Sequence, residues 1–532
     1  MKKFLLLLTL EILLATSLFL PGFMIGWGLY PPIVYSIVFV FTVAIYLLVI
    51  KSIPASMAVL VTVPIIVLQL ANVVTYYQFG FPFEYGVFQI LINADWDEAT
   101  EFIPVVKLSV LIKVLVLSGF YLICTWWLVQ SPFKFKGRRN RLFGLVLIAI
   151  AVPSLNHFHR TRYDVYSYYY IYRLAFEYST WQRDIEQASK TRAARFLTAK
   201  SPLSLKEQKT TLDDIVIVVI GESLRRRNMS LYGYKRQTTP LLDKRKNELI
   251  VFDRVISPAN NTIMSLMHML TPLTVTRKKD ILNVPSLVGE VRVAGFDTSW
   301  ISNTNLLGRY ASNTTIMARD ANRVLVTRAE GHNEKFYLSD LTILPLFDKL
   351  LKNNEAKKKF FFLATRGSHA LYHRRVPDSF RKFLPMPSDG SRYSPRLREK
   401  IVNAYDNTVL VTDWFLDQLI QRLEKTGVPA TLIYFSDHGE RLYEDGKTMF
   451  HGSSRSPRKT EYQVPFIIWQ SKVRNCKIEK LHAIKHQSIN MQYFFKIAKY
   501  ATCINKRLPK NLYDPHVIAR NKLVNYEELK EH

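Results

Sequence analysis

Between Ile12 and Ile50 the chain carries no charged side chain. Predominantly apolar runs at residues 4–20, 33–50, 54–74 and 114–129 are each near the length that a hydrocarbon layer of about 30 Å demands, so they read as membrane helices. A fifth run, 142–155, is shorter and contains Pro153; by length alone it fits an interfacial or buried helix equally well. Topology favours a crossing. Lys2, Lys3 and Lys51 mark one side as cytoplasmic, the connection 75–104 holds Glu84, Asp95, Asp97, Glu98 and Glu101 without a Lys or Arg, and the loop after the next helix holds Lys134, Lys136, Arg138, Arg139 and Arg141. Apart from Lys107 and Lys113 the positive residues stay inside, and a fifth crossing then delivers everything beyond Asn156 to the outer face. Two lysines before an apolar stretch also fit a cleaved signal peptide, but Glu11 within it, the lack of a small-residue cleavage site and the later spans favour an uncleaved helix.

Charge is segregated along the chain. The first 156 residues hold 10 basic and 6 acidic side chains against 62 and 37 in the rest, and the net charge is +29. Such an excess selects anionic partners without distinguishing phospholipid, phosphorylated glycan or nucleic acid. Three cysteines are too few for a disulfide scaffold, and the apolar content disfavours a disordered chain. Residues 160–183 interleave tyrosines and Trp181 with arginines, a composition suited equally to the headgroup layer and to a helix packed on a soluble domain. The chain therefore divides into a five-helix transmembrane domain at 1–156, an aromatic bridging segment and polar linker at 157–212, and a soluble domain at 213–532 that ends, from Asn505, in a polar tail.

In the soluble domain, apolar runs at 215–220, 291–301, 360–364, 431–435 and 466–469 alternate with helix-like stretches, an α/β rhythm. Continuous β-branched and aromatic runs imply strands buried on both faces of a mostly parallel sheet, whose ligands gather beyond the strand C-termini. Two such ends carry acids: 215–220 runs into Glu222, and 431–435 runs into Asp437 and His438. Two carboxylates and an imidazole suit zinc or manganese better than magnesium, and a fourth, open position is what a catalytic zinc site keeps. Thr262, after Asn260 and Asn261, falls near a helix N-terminus, where it is either a cap or a nucleophile facing a phosphate drawn to the helix end.

Longer blocks sharpen the choice. Residues 218–242 read V-V-I-G-E-S-L-R-R-R-N-M-S-L-Y-G-Y-K-R-Q-T-T-P-L-L, followed in order by R-G-S-H at 366–369, Y-D-N-T at 405–408, S-D-H-G-E at 436–440, F-H-G at 450–452 and V-P-F-I-I-W at 464–469. This series resembles the bacterial phosphoethanolamine transferases, membrane enzymes of the alkaline phosphatase and sulfatase superfamily, over nearly the whole chain. The resemblance implies an alkaline phosphatase/sulfatase-like α/β sandwich with a mostly parallel central sheet, a helical transmembrane anchor and zinc. It makes Glu222, Thr262, Asp437 and His438 the metal ligands and Thr262 the residue that becomes covalently modified. His369 and His451 would contact phosphate oxygens or shuttle protons, Asn303 and, more weakly, Arg309 would touch substrate, and Glu98 matches a substrate-site glutamate although Ala94 replaces the hydroxyl residue expected one turn earlier. Relatives that modify lipid A flank the nucleophile with cysteines, where Pro258 and His268 stand here. Cys476 and Cys503 fall in the outer domain, and a bond between them would contribute roughly 3 to 4 kcal/mol.

The implied activity moves phosphoethanolamine from phosphatidylethanolamine to an anionic lipopolysaccharide or glycan through a phosphothreonine, in the inner membrane of a bacterium with the catalytic domain in the periplasm. A phosphoglycerol transferase using phosphatidylglycerol is the nearest rival. A sulfatase lacks support because no C-x-P-x-R segment is present. A noncatalytic binder of anionic glycan is the alternative from another class, and nothing in the sequence reads as a nucleic-acid recognition motif.

Overall fold

Along the run that begins at Ile215, successive side chains point to opposite faces of the strand, and every one is apolar. The computed structural model describes isolated positions between 9 and 50, residues 54–79 and 108–130, and then 211–276, 284–303, 313–327, 339–353, 356–388, 391, 393–451, 457–519 and 522–531. These residues form two compact units.

The second unit is built on strands β1 (Ile215–Gly221), β2 (Leu249–Val251), β3 (Arg254–Ile256), β4 (Asp297–Ser302), β5 (Arg323–Val326), β6 (Lys359–Ala364), β7 (Ala430–Ser436), β8 (Phe466–Gln470) and β9 (Ser488–Asn490). Seven of them make one sheet in the order β2-β8-β7-β1-β6-β4-β5. The block β7-β1-β6-β4-β5 is parallel throughout, and β8 pairs antiparallel with β7 and with β2. Val216, Val218, Phe360, Phe362 and Ile433 lie in one hydrophobic cluster, whereas Ile217, Val219, Phe361, Leu363 and Leu432 lie in another on the opposite face. Each fully buried aliphatic or aromatic side chain contributes roughly 1.5 to 3 kcal/mol, which is why uninterrupted apolar runs and not alternating ones specify this sheet.

Helices cover both faces. Those named here are α1 (Ala55–Phe79), α2 (Leu108–Gln130), α3 (Thr262–Met269), α4 (Leu287–Val293), α5 (Ile343–Leu351), α6 (Arg398–Thr426) and α7 (Phe494–Ala501). Leu287, Val288 and Val291 of α4 and Phe494, Ile497 and Ala498 of α7 join the first cluster, while Ile343 and Phe347 of α5 and Ile401, Phe415, Leu419 and Leu423 of α6 join the second. The outcome is the helix-covered α/β sandwich expected from the sequence.

Two expectations need correction. The run 291–301 is not one strand: Val291–Val293 closes α4, whose start is capped by Ser286 accepting from the Gly289 N–H at 3.0 Å, and Gly295, at φ 106°, turns the chain into β4. Apolar content alone could not separate these two elements. The polar tail from Asn505 also folds back. Ile518 donates its N–H to Pro258 O at 2.8 Å, and Val517 and Tyr526 bury an apolar cluster with Ile256 and Tyr462, so the tail braces the segment leading to α3. Cys476 and Cys503 are bonded, with Cα atoms 5.5 Å apart.

The first unit includes α1 and α2, which extend the apolar runs expected at 54–74 and 114–129. The stretch Leu108–Leu128 has the length and apolar character of a membrane span, while the shorter apolar stretch within α1 is Ser56–Ala71. Ala58, Ile66, Tyr121, Cys124 and Leu128 face inward, and Leu60, Leu115, Leu122 and Trp126 face outward. An apolar exterior of this kind suits hydrocarbon and not water. The runs at 4–20 and 33–50 are described only at isolated positions. The run at 142–155, the aromatic segment at 160–183, Glu98 and Arg309 lie outside the described residues.

Candidate metal centre and nucleophile

Four neighbouring parallel strands end at the same level: Gly221 of β1 pairs with Ser436 of β7, and Ala364 of β6 pairs with Ile220 of β1 and Ser302 of β4. The next residues are Glu222, Asp437 with His438, Thr365 leading to His369, and Asn303. The sheet register therefore gathers these polar residues on one edge, the usual ligand side of a parallel sheet.

Glu222, Asp437 and His438 each offer a ligand atom within 4.8 Å of the others. His438 Nε2 is 3.3 Å from Glu222 Oε1 and 3.3 Å from Asp437 Oδ2. Its Nδ1–H donates to Gly439 O at 2.9 Å, which turns Nε2 toward the carboxylates. Thr262 is the first residue of α3, after Asn261, whose side chain caps the helix by accepting from Met264 N at 3.0 Å. Its Oγ1 lies 3.2 Å from Glu222 Oε2 and 3.2 Å from His438 Nε2. The four residues expected to share a cation thus converge.

Charge shows what the cluster lacks. Asp437 is fully buried; Oδ1 accepts from Ser223 N at 3.0 Å and His438 N at 2.7 Å, but Oδ2 is buried without a hydrogen-bond partner. Burial and the neighbouring Glu222 push its carboxyl up to about 7. Burial also works against the Glu222 anion, yet His438, with His369 and His451 behind it, holds that carboxyl below its ordinary range. For His438 burial disfavours the imidazolium, but Asp437 and Glu222 outweigh it and carry the ring up to about 10. Two acids that raise a buried imidazole this far make a strongly cation-favouring site. The orphaned oxygen, the paired acids and the mixed oxygen–nitrogen donor set fit a zinc-class ion.

The remaining expected residues separate into two groups. His451 stands beside the cluster, its ring centroid 3.8 Å from that of His438 and its Nδ1 3.3 Å from both oxygens of Glu440. Burial and the His438 charge drive His451 down to about 3, so it is neutral, and burial pushes Glu440 up to about 8. His369 follows a loop laid against Glu222, where Ser368 N donates to Glu222 O at 2.9 Å. Gly367 has φ 45°, and a Cβ there would stand 2.7 Å from Glu222 O, so only glycine permits the approach. Asn303, by contrast, is fully buried and committed within the protein: it donates to Asp340 Oδ1 at 3.0 Å and accepts from Thr327 Oγ1 at 2.7 Å.

Two contributors escaped the sequence reading. Ser223 donates its hydroxyl to Glu222 Oε1 at 2.8 Å, and Asp340 accepts from Arg366 N at 2.7 Å and Gly367 N at 2.9 Å, pinning the loop before His369. Adjacency in G-E-S was a signal for Ser223; Asp340 lies 26 residues from Arg366 and left none.

A threonine thus stands beside a three-donor acid–imidazole cluster at the C-terminal edge of a helix-covered parallel sheet. Residues 214–496 match the family described as Sulfatase, and the chain belongs to it. It is similar to phosphoethanolamine transferase EptC of Escherichia coli K12, with 27% identity over 434 residues, 76% of this chain and 72% of that protein. The C-terminal periplasmic domain of E. coli EptC, crystallised in complex with zinc, matches at a TM-score of 0.50 with 26% identity, covering 60% of this chain and 94% of that one. The integral membrane protein lipooligosaccharide phosphoethanolamine transferase A of Neisseria meningitidis shares the fold at a TM-score of 0.62 with 20% identity, covering 93% of this chain and 95% of that one.

Proposed function

We propose that the chain is a zinc-dependent transferase that moves phosphoethanolamine from phosphatidylethanolamine to an anionic lipopolysaccharide or glycan acceptor. The observation that carries this reading is Thr262 Oγ1, 3.2 Å from both Glu222 Oε2 and His438 Nε2, beside the cluster that these two residues form with Asp437. The names of the relatives support the transferred group, and the chemistry of the donor set supports zinc. Held by Glu222, Asp437 and His438 with Thr262, zinc would supply Lewis acidity toward hydroxyl and phosphoryl oxygens.

The chain's own residues account for the rest. Thr262 Oγ forms a bond to the donor phosphorus as the bond from phosphorus to the diacylglycerol oxygen breaks, and the threonine proton ends on that departing oxygen. His451, neutral and beside His438, is placed to carry it. An acceptor oxygen then attacks the phosphothreonine, the Thr262–phosphorus bond breaks, and the proton of the acceptor returns to threonine. We place the chain in a bacterial inner membrane by several spans, with the catalytic unit in the periplasm. The apolar exteriors of α1 and α2 support the membrane, and the Cys476–Cys503 bond supports an oxidising compartment.

Mass spectrometry of the intact, zinc-loaded full chain after exposure to phosphatidylethanolamine or phosphatidylglycerol vesicles tests this directly. A phosphoethanolamine-sized adduct on wild type, absent from Thr262→Ala, is expected. An adduct from phosphatidylglycerol alone would make the chain a phosphoglycerol transferase, and no adduct or diacylglycerol from either lipid would reject the nucleophile.

A further inference from the structure

We propose that Arg375 is a positioning residue that fixes His369 as the ring tautomer with hydrogen on Nε2, so that His369 serves the site as a hydrogen-bond donor to a phosphoryl oxygen and not as a proton acceptor. The inference deepens the phosphotransfer reading and rests on it.

A guanidinium has only N–H donors and stays charged in proteins. Arg375 Nη2 lies 3.1 Å from His369 Nδ1, and a hydrogen on Nδ1 would set N–H against N–H. Nδ1 must accept, and the ring hydrogen is left on Nε2. The same guanidinium secures the turn that bears the ring: Nε donates to His369 O at 2.8 Å and Ala370 O at 3.0 Å, and Nη2 donates to Ala370 O at 2.8 Å. Leu371, the next residue, is in the left-handed region at φ 57°, an uncommon conformation for a residue other than glycine. Arg375 is itself 3% exposed, so these contacts are made away from solvent.

The opposite end of the loop is equally fixed. Asp340 takes the Arg366 and Gly367 amides, and Ser368 N binds the carbonyl of the metal ligand Glu222, so His369 is tied to the centre by backbone on one side and by Arg375 on the other. The ring is set the other way round from His438, whose Nδ1 donates to Gly439 O and whose Nε2 faces Glu222 and Asp437. A neutral Nε2–H gains most when charge builds on a nonbridging phosphoryl oxygen, which is when a fixed donor stabilises a transition state. Proton transfer is thereby left to His451.

Diacylglycerol release by the zinc-loaded full chain in detergent micelles containing phosphatidylethanolamine would be measured for His369→Ala, His369→Gln, Arg375→Leu and the His369→Gln/Arg375→Leu pair. A glutamine amide offers N–H near the Nε2 position but has no tautomer to fix. We expect His369→Gln to keep more turnover than His369→Ala, and Arg375→Leu to lower turnover roughly tenfold in the wild-type background, a part of the loss seen when one transition-state donor is removed. In the glutamine background only the turn contacts are lost, so the same substitution should cost clearly less. Equal losses in both backgrounds would make Arg375 a loop support only and overturn the proposal. Independently of activity, 15N spectra of the histidine-labelled full chain, with His369 identified by its loss in His369→Gln, should show a bare Nδ1 and a protonated Nε2. The reverse pattern would overturn the tautomer assignment. Were this pattern found in a protein that releases no diacylglycerol, the donor lipid would be rejected while the ring assignment stood.

Discussion

Asp437 and Asp406 lie in the same unit, both fully buried, and their surroundings are opposite. Asp406 accepts from Asn228 Nδ2 at 2.6 Å, Tyr234 OH at 3.0 Å and Arg236 Nη1 at 2.9 Å, and Arg236 also donates to Asn403 Oδ1 at 2.8 Å. Burial raises its carboxyl, but those donors and the Arg236 charge oppose the rise. Asp437 has backbone amides on one oxygen, an orphan on the other, and a second acid beside it. A buried acid closed by donors of its own chain is scaffold; one left open next to another acid needs a cation from outside.

The largest expected effect follows from removing the open acid. Asp437→Ala should lower zinc affinity and phosphotransfer by more than the roughly 100-fold that losing a supporting contact to a metal ligand costs, while the protein still folds. Activity and chelator competition would check it, and wild-type zinc retention would break the contrast. Asp406→Ala should do the converse: it leaves Arg236 and Asn228 without their acid and costs about 3 kcal/mol of stability, seen as a lowered Tm, with zinc content unchanged. Gly367→Ala should be smaller, with roughly tenfold weaker zinc binding as the new methyl presses on the Glu222 backbone.

The smallest effect concerns a third acid. Asp413 accepts from Leu241 N at 3.0 Å and Leu242 N at 2.9 Å, yet burial, aided by Asp243 and Asp417, pushes its carboxyl from 3.8 up to about 7. The folded state therefore holds this proton more tightly than the unfolded chain, so the stabilising contribution is complete below pH 4 and is lost as the pH rises toward 7. Thermal unfolding followed across that range should show the decline, and Asp413→Asn should flatten it.

Much of the metal centre was legible because strand ends announce themselves locally. Glu222 and the pair Asp437–His438 directly follow apolar runs, and the parallel register brings them together. Thr262 was legible as a residue at a helix start. What could not be read was which buried acids are already satisfied: Asp406 sits in as distinctive a block as Asp437, and only its distant partners Asn228 and Arg236 show it to be scaffold. Asn303 likewise follows β4 where a ligand contact is expected, but Asp340 and Thr327, brought in from far along the chain, occupy its amide. The run 291–301 hid a helix-to-strand boundary because both elements bury apolar residues in the same cluster.

The central claim is that Glu222, Asp437 and His438 hold one divalent cation against the Thr262 hydroxyl. Metal analysis of the purified full-length chain beside its Asp437→Ala and Asp406→Asn variants tests it most directly. About one zinc per chain is expected in wild type and Asp406→Asn and almost none in Asp437→Ala. Equal zinc in all three folded proteins, or none in any of them after zinc loading, would contradict it.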